Sequence, residues 1–263
     1  MKQWKEIAST TRWLLQRELT ILYKNAFDSL IDCLIIPLTF IVISGFILPY
    51  MGMPADYGAF MAVGACMMMS WNSCAWFGAG PMIADLESDR SITYQLTLPL
   101  PAWMIVIKYA LGFAIYGVIL NVLTIPIGKV LLGSRFDLSN FSWIKFALIY
   151  PSANVMFGFL AVAIALWVNN SFEFGRFWAR IGVQLTLFSG LQFSWHTFHQ
   201  VWPTIAYIDL LNPLVYAFEG TRAAVMGQAG NLNFWLCLFA VWTWSIVFAL
   251  ASYKLLKKRL DCV

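Results

Sequence analysis

The chain has 263 residues, of which 60% are hydrophobic and 11% charged, with a formal net charge of +4. A soluble domain carries about 45–50% apolar and about 25% charged residues, so this chain cannot present an ordinary wetted surface. Its basic residues stand at the ends of apolar blocks rather than in a patch for nucleic acid, and no linker, repeat or low-complexity tract interrupts the blocks, so one domain over 1–263 is expected.

In residues 1–26, Trp4, Ile7, Trp13, Leu14, Leu15, Leu19 and Leu22 alternate with Lys5, Glu6, Arg12, Gln16, Arg17 and Glu18 at roughly helical spacing. That pattern predicts an amphipathic helix lying in the membrane interface. The mixed stretch lacks the basic start and purely apolar core of a cleavable signal peptide, so the first span is expected to stay attached. Residues 30–50 are apolar over a length that crosses a hydrocarbon core of about 30 Å. Asp28 and Asp32 sit at the mouth of that span, where a helix N-terminus tolerates negative charge.

Further spans are predicted at 58–83, 103–128, 144–168, 177–195 and 233–253, which makes residues 27–263 an all-α, six-span integral membrane bundle. Six crossings put both termini on one side. Lys129, Arg135, Lys145 and Arg222 fall on the far side and the other 13 of the 17 basic residues on the near side. The positive-inside rule then places both termini in the cytoplasm. In the second span Gly58, Ala62, Cys66, Ser70, Cys74 and Gly78 put a small residue at every fourth position, a predicted seam for close helix packing; chance in a segment rich in small residues is the competing reading. Cys33, Cys66, Cys74 and Cys237 lie in apolar stretches and Cys262 in a polar tail, which is no disulfide framework.

Groups for chemistry are sparse. The chain has no phosphate-binding loop, since Gly128-Lys129 lacks the glycine five residues before it. Gly78-Ala79-Gly80 has Ile83 where a dinucleotide fingerprint needs its third glycine. There is no G-x-S-x-G elbow. His196 and His199, at i, i+3, are read as interfacial residues rather than metal ligands, because no carboxylate or cysteine is close in sequence to complete a site. The middles of the six spans carry essentially no acidic or basic group, which disfavours the alternative of an ion-coupled secondary transporter. The absence of catalytic groups likewise disfavours a membrane enzyme. The Met67-Met68-Met69 run and the many aromatics are explained by core packing and interface anchoring before any substrate path is invoked.

Two segments resemble signatures of one family. The run 85–100, Asp-Leu-Glu-Ser-Asp-Arg-Ser-Ile-Thr-Tyr-Gln-Leu-Thr-Leu-Pro-Leu, lies between spans two and three. The run 211–222, Leu-Asn-Pro-Leu-Val-Tyr-Ala-Phe-Glu-Gly-Thr-Arg, follows Phe188-Ser189-Gly190 and Trp202-Pro203. Together they are similar to the motifs of ABC-2 type permeases, the membrane subunits of one class of ATP-binding-cassette exporters; Ser91-Ile92 stand where the family usually has a glycine. The resemblance implies a cytoplasmic coupling helix between spans two and three. It also implies docking of a separate ATPase subunit on that helix and on the interfacial helix, through Glu87, Asp89 and Arg90 for charge and Tyr94 and Leu96 for an apolar foothold. The alternation of Ile92, Tyr94, Leu96 and Leu98 has the period of a strand, but an isolated strand would leave backbone groups unpaired, so helix is preferred.

By the same resemblance, residues 196–222 form extracellular re-entrant helices between spans five and six. Asn212, Pro213, Tyr216, Glu219 and Arg222 belong to an extracellular gate. Asn212-Pro213 suits a helix start, and Glu219 and Arg222, at i, i+3, have the spacing of an ion pair that a double charge reversal would restore. ATP and Mg2+ would bind the partner ATPase subunit, with no cofactor in this chain. A second permease copy, identical or similar, would complete a transporter surrounded by membrane lipid. The location implied is a bacterial inner membrane, crossed several times, and the cargo a lipid-like, glycan or drug substrate.

Overall fold

The computed structural model describes residues 26–84, 86–87 and 101–260, together with Trp13, Gln16, Thr20 and Lys24. Every regular element among them is helical. Helix α1 covers Ala26–Val42, prolonged by a π turn at Ile43–Ile47 and by Leu48–Tyr50. Helix α2 covers Tyr57–Ser73, a π turn at Cys74–Ala79 and Gly80–Ala84. Helix α3 (Ala102–Asn121) stops two residues before α4 (Thr124–Leu132). Val122 and Leu123 interrupt the regular helix while keeping right-handed helical backbone angles, because Pro126 has no N–H to offer the carbonyl four residues back.

Helix α5 (Trp143–Trp167) starts at a Ser142 cap whose hydroxyl accepts the Lys145 amide. Helix α6 runs from Ser171–Phe177 through a π turn at Trp178–Gly182, Val183–Thr186 and a second π turn at Leu187–Leu191. Its start lies six residues before the expected 177, because Asn170 caps it by accepting the Glu173 amide at 2.8 Å while Glu173 accepts the Asn169 amide at 2.9 Å. Short helices α7 (Trp195–Val201) and α8 (Pro203–Asp209) precede α9 (Pro213–Val225) and α10 (Phe234–Leu260). Lys257, Lys258 and Arg259 in the last turn of α10 suit the negative end of a helix dipole.

Four helical stretches are long and apolar enough to cross a membrane: Phe27–Tyr50, Ala102–Arg135, Trp143–Trp167 and Phe234–Arg259. Helices α2 and α6 are not among them. The first is diluted by Gly, Ser and Asn, and the second carries Glu173, Arg176 and Arg180. Burial sorts the four. The most apolar window of α5 is 72% buried, whereas those of α1 and α10 are 28% and 22% buried. Helix α5 is thus the central post, packed against α3, α10, α9 and the π turn of α2, while α1 and α10 turn bare apolar faces outward. Faces such as Ile31, Ile35, Ile36 and Ile47 on α1, or Trp235, Phe239, Ile246 and Leu250 on α10, are untenable in water and suit lipid. The protein is a multi-pass membrane protein.

The small-residue row of α2 lies against α1, α3 and α4. A Cβ on Gly58 would stand 2.6 Å from the Gly45 Cα, and one on Gly128 would stand 3.2 Å from the Ala62 Cβ. Deeper in, the Cys66 thiol faces the Asn121 carbonyl at 3.3 Å, the Ser70 hydroxyl faces the Gly117 carbonyl at 3.3 Å and the Cys74 thiol faces the Phe113 carbonyl at 3.3 Å. Gly78 abuts the Phe113 ring. Side chains this short let backbones approach until Ser and Cys reach the neighbouring helix's carbonyls, a contact that lipid cannot supply. The same closeness holds where α3 crosses α5: a Cβ on Gly158 would lie 2.1 Å from the Ala110 carbonyl oxygen.

Candidate functional site

Asn212 caps α9 by accepting the Leu214 amide at 3.1 Å, Pro213 takes the first helical position, and the Asn212 Nδ2 reaches back to the Leu185 carbonyl of α6 at 2.8 Å. The Tyr216 hydroxyl donates to the Leu210 carbonyl at 2.8 Å, which folds the end of α8 onto α9. One and two turns further along α9 lie Glu219 and Arg222, both with fully buried side chains, their Oε1 and Nη1 3.8 Å apart. The sequence suggested a pair near the outer surface; the structure sinks it into the interior.

Each member faces groups of the right polarity, and of the pair's polar atoms only the Arg222 Nε is buried without a hydrogen-bond partner among the described residues. Glu219 Oε1 accepts the Trp195 amide at 3.0 Å, at the start of α7, and Oε2 accepts the Leu232 amide at 3.0 Å, ahead of α10. Arg222 donates from Nη1 to the Gly190 carbonyl and from Nη2 to the Leu191 carbonyl at 2.9 Å. Its Cζ lies 3.5 Å from the centre of the Phe60 ring of α2. Gly64 completes the enclosure, since a Cβ there would come within 2.7 Å of Nη2. Gly190 has φ +86, a conformation that glycine adopts without penalty; it ends α6 and aims the carbonyl at the guanidinium. A pair neutral overall, with both carboxylate oxygens and both terminal guanidinium nitrogens engaged, can persist in a low dielectric, where either charge alone could not.

Four segments therefore meet on one pair of side chains: α2, the end of α6, the start of α7 and the loop before α10. A weaker tie joins α2 to the same region, the Tyr57 hydroxyl donating to the Gln192 carbonyl at 2.8 Å. Phe60, Gly64, Tyr57 and Trp195 were not singled out from sequence. The Ser189-Gly190 and 211–222 motifs mark two of the partners, but nothing local in α2 announces the other.

At the opposite end, Ser171 at the start of α6 donates to Glu87 Oε2 at 2.6 Å. Of the coupling residues expected from sequence, Glu87 alone is described; Asp89, Arg90, Tyr94 and Leu96 lie outside the described residues. So does most of the expected interfacial helix 1–26, in which Trp13, Gln16, Thr20 and Lys24 are helical and exposed. Between the two ends, Trp178 of α6 stacks on Trp71 of α2 at 5.7 Å and meets Trp76 edge-on at 5.4 Å. Helices α2 and α6 are tied at both ends and in the middle.

The two histidines make contacts of other kinds. His199 stacks between Trp195, at 5.0 Å, and Tyr207, at 5.1 Å, and His196 Nε2 is 3.3 Å from Gln200 Nε2. Among the described residues no three His, Cys, Asp or Glu side chains come together as metal ligands. Met67, Met68 and Met69 are core residues, Met67 accepting the Thr221 hydroxyl at 3.3 Å. Arg180 stands halfway along α6 and is exposed.

No curated protein matches the sequence. The family model of the ABC-2 type transporter matches residues 9–226. That match takes in both motif segments and all the helices that meet on Glu219 and Arg222, and the chain belongs to the ABC-2 type transporter family, as the membrane permease subunit of an ABC transporter.

Proposed function

We propose that the chain is the permease of an exporter with six membrane spans per copy, α2 and α6 supplying the second and fifth, and with both termini in the cytoplasm. An ABC ATPase subunit is the partner that the family implies in general. In this reading it binds ATP and Mg2+, docks on the interfacial helix and on Glu87, Asp89, Arg90, Tyr94 and Leu96, and drives two permease copies that move an amphiphilic substrate outward. The coupling segment has charge for steering and apolar residues for a foothold, as a transient cytoplasmic interface needs.

The observation that carries the proposal is the double tie between α2 and α6. Force applied beside Glu87 enters both helices through the Ser171 bond and the tryptophan stack. It reaches Arg222 through Phe60 and the Gly190 carbonyl. The Glu219–Arg222 cluster then acts as the outer gate's clamp, because α2 and α6 cannot slide along α9 without exposing a buried charge. That cost makes two discrete positions more stable than a continuum.

The test is co-purification with the ATPase subunit followed by ATP hydrolysis in lipid. The complex is expected to form, and Glu87→Ala with Arg90→Ala to sever hydrolysis from substrate stimulation while Ser171→Ala, which loses only the tie to α6, leaves docking intact. A permease that moves cargo without the ATPase, or unchanged coupling in the double variant, would overturn the reading.

A further inference from the structure

Arg180 presents a problem that the gate does not solve. It lies about 14 Å along α6 from Ser171 and about 17 Å short of Leu191, at about 1.5 Å rise per residue. Two residues before it, Trp178 stacks on Trp71, which stands midway between the ends of α2. Arg180 is therefore placed at mid-bundle depth along α6. It is exposed and has no hydrogen bond or ion pair with the described residues. A cation at such depth is costly and is retained where something pairs with it.

It borders two adjoining cavities. On the cytoplasmic side one of about 350 Å³ contains Glu173 and Arg176. Arg176 is one turn before Arg180 on the same face, half exposed and 3.8 Å from Glu173. Beyond Arg180 the second cavity, of about 440 Å³, has apolar walls that include Ile181, Phe188 and Ile208, with Asp209 on its rim. The size fits a polar headgroup and the first carbons of its chains. Arginine is the side chain whose planar fork matches phosphate oxygens, and Asp209 can accept from hydroxyl or amine donors of the same headgroup.

We propose that this cleft binds a phosphate-bearing amphiphile, its phosphate on Arg180, its headgroup donors toward Asp209 and its apolar part along α6 and α8, with Arg176 as the station nearer the cytoplasm. The proposal rests on the transport reading for its direction, but binding itself is measured without the ATPase.

Purified protein in an uncharged detergent is titrated with short-chain phosphatidylglycerol, with the matching uncharged diacylglycerol and with inorganic phosphate, and binding is followed by native mass spectrometry. Phosphatidylglycerol is expected to bind roughly tenfold or more tightly than diacylglycerol, the worth of one charge-assisted contact. Inorganic phosphate alone should not saturate. Arg180→Gln should erase the preference and Arg180→Lys keep part of it, with the melting temperature of both variants as in the parent. An undiminished preference in R180Q, or inorganic phosphate binding as tightly as the lipid, overturns the proposal. If the ATPase fails to co-purify while phosphatidylglycerol still binds through Arg180, the exporter reading falls and the site stands; the reverse result sinks the site alone.

Discussion

At Glu219 and Arg222 the surroundings are polar in a fixed sense: the carboxylate faces two amide N–H groups and the guanidinium faces two backbone carbonyls. Exchanging the two residues would turn a carboxylate toward carbonyl oxygens and a cation toward amide hydrogens. The rescue that i, i+3 spacing alone suggests is therefore not expected. Glu219→Ala or Arg222→Ala should each cost about 3–5 kcal/mol, the penalty of a buried charge left unpaired. Glu219→Arg combined with Arg222→Glu should be no more stable than either single reversal. Thermal unfolding in detergent reads both, and restoration by the double variant would show that pairwise attraction, not the backbone dipoles, holds the pair. The sequence made the pair legible through its motif and spacing. Its burial was not legible, because the groups that enclose it lie 31 and 32 residues before Arg222 and on a separate helix.

At the level of helices, the four-residue row on α2 was readable because helical periodicity projects such a pattern onto one ridge. Which helices would fill that ridge was not. The Ala62 Cβ and a Cβ built on Gly128 are 3.2 Å apart, a few tenths of an ångström short of the roughly 3.5–4.5 Å span of a disulfide. Oxidation of Ala62→Cys with Gly128→Cys is expected to give an α2–α4 cross-link, seen as a retained fragment after cleavage between the two positions. Failure to cross-link would mean that α4 does not pack on this row. Helix ends departed from the apolar runs where capping overrode hydropathy. At α6 the polar Asn169-Asn170-Ser171 begins the helix ahead of its apolar run, so that Arg180 lies near the middle of the helix.

For the molecule as a whole, bare faces on α1 and α10 around a buried α5 call for lipid or another membrane chain outside. The proposed topology puts the loop between α4 and α5 on the outer side, where Asp137 and Ser139 are exposed. Cys33, Cys66, Cys74 and Cys237 are buried, so with Cys262→Ser as background, Ser139→Cys should react with a membrane-impermeant maleimide in intact cells. Labelling only after the membrane is permeabilised would invert the topology. A helical chain that crosses the membrane several times was legible before any folding was known, because the length of an apolar run and the need to satisfy the backbone inside lipid are local properties that any stretch carries in its own residues. That α5 is central, that an ion pair ties α2 and α6 to α9, and that Arg180, unpaired among the described residues, borders a cleft midway along α6 emerged only from the three-dimensional arrangement. Those facts depend on which distant segments share a neighbourhood, as Thr221 and Met67 do across 154 positions, and no periodicity within one segment encodes its partner.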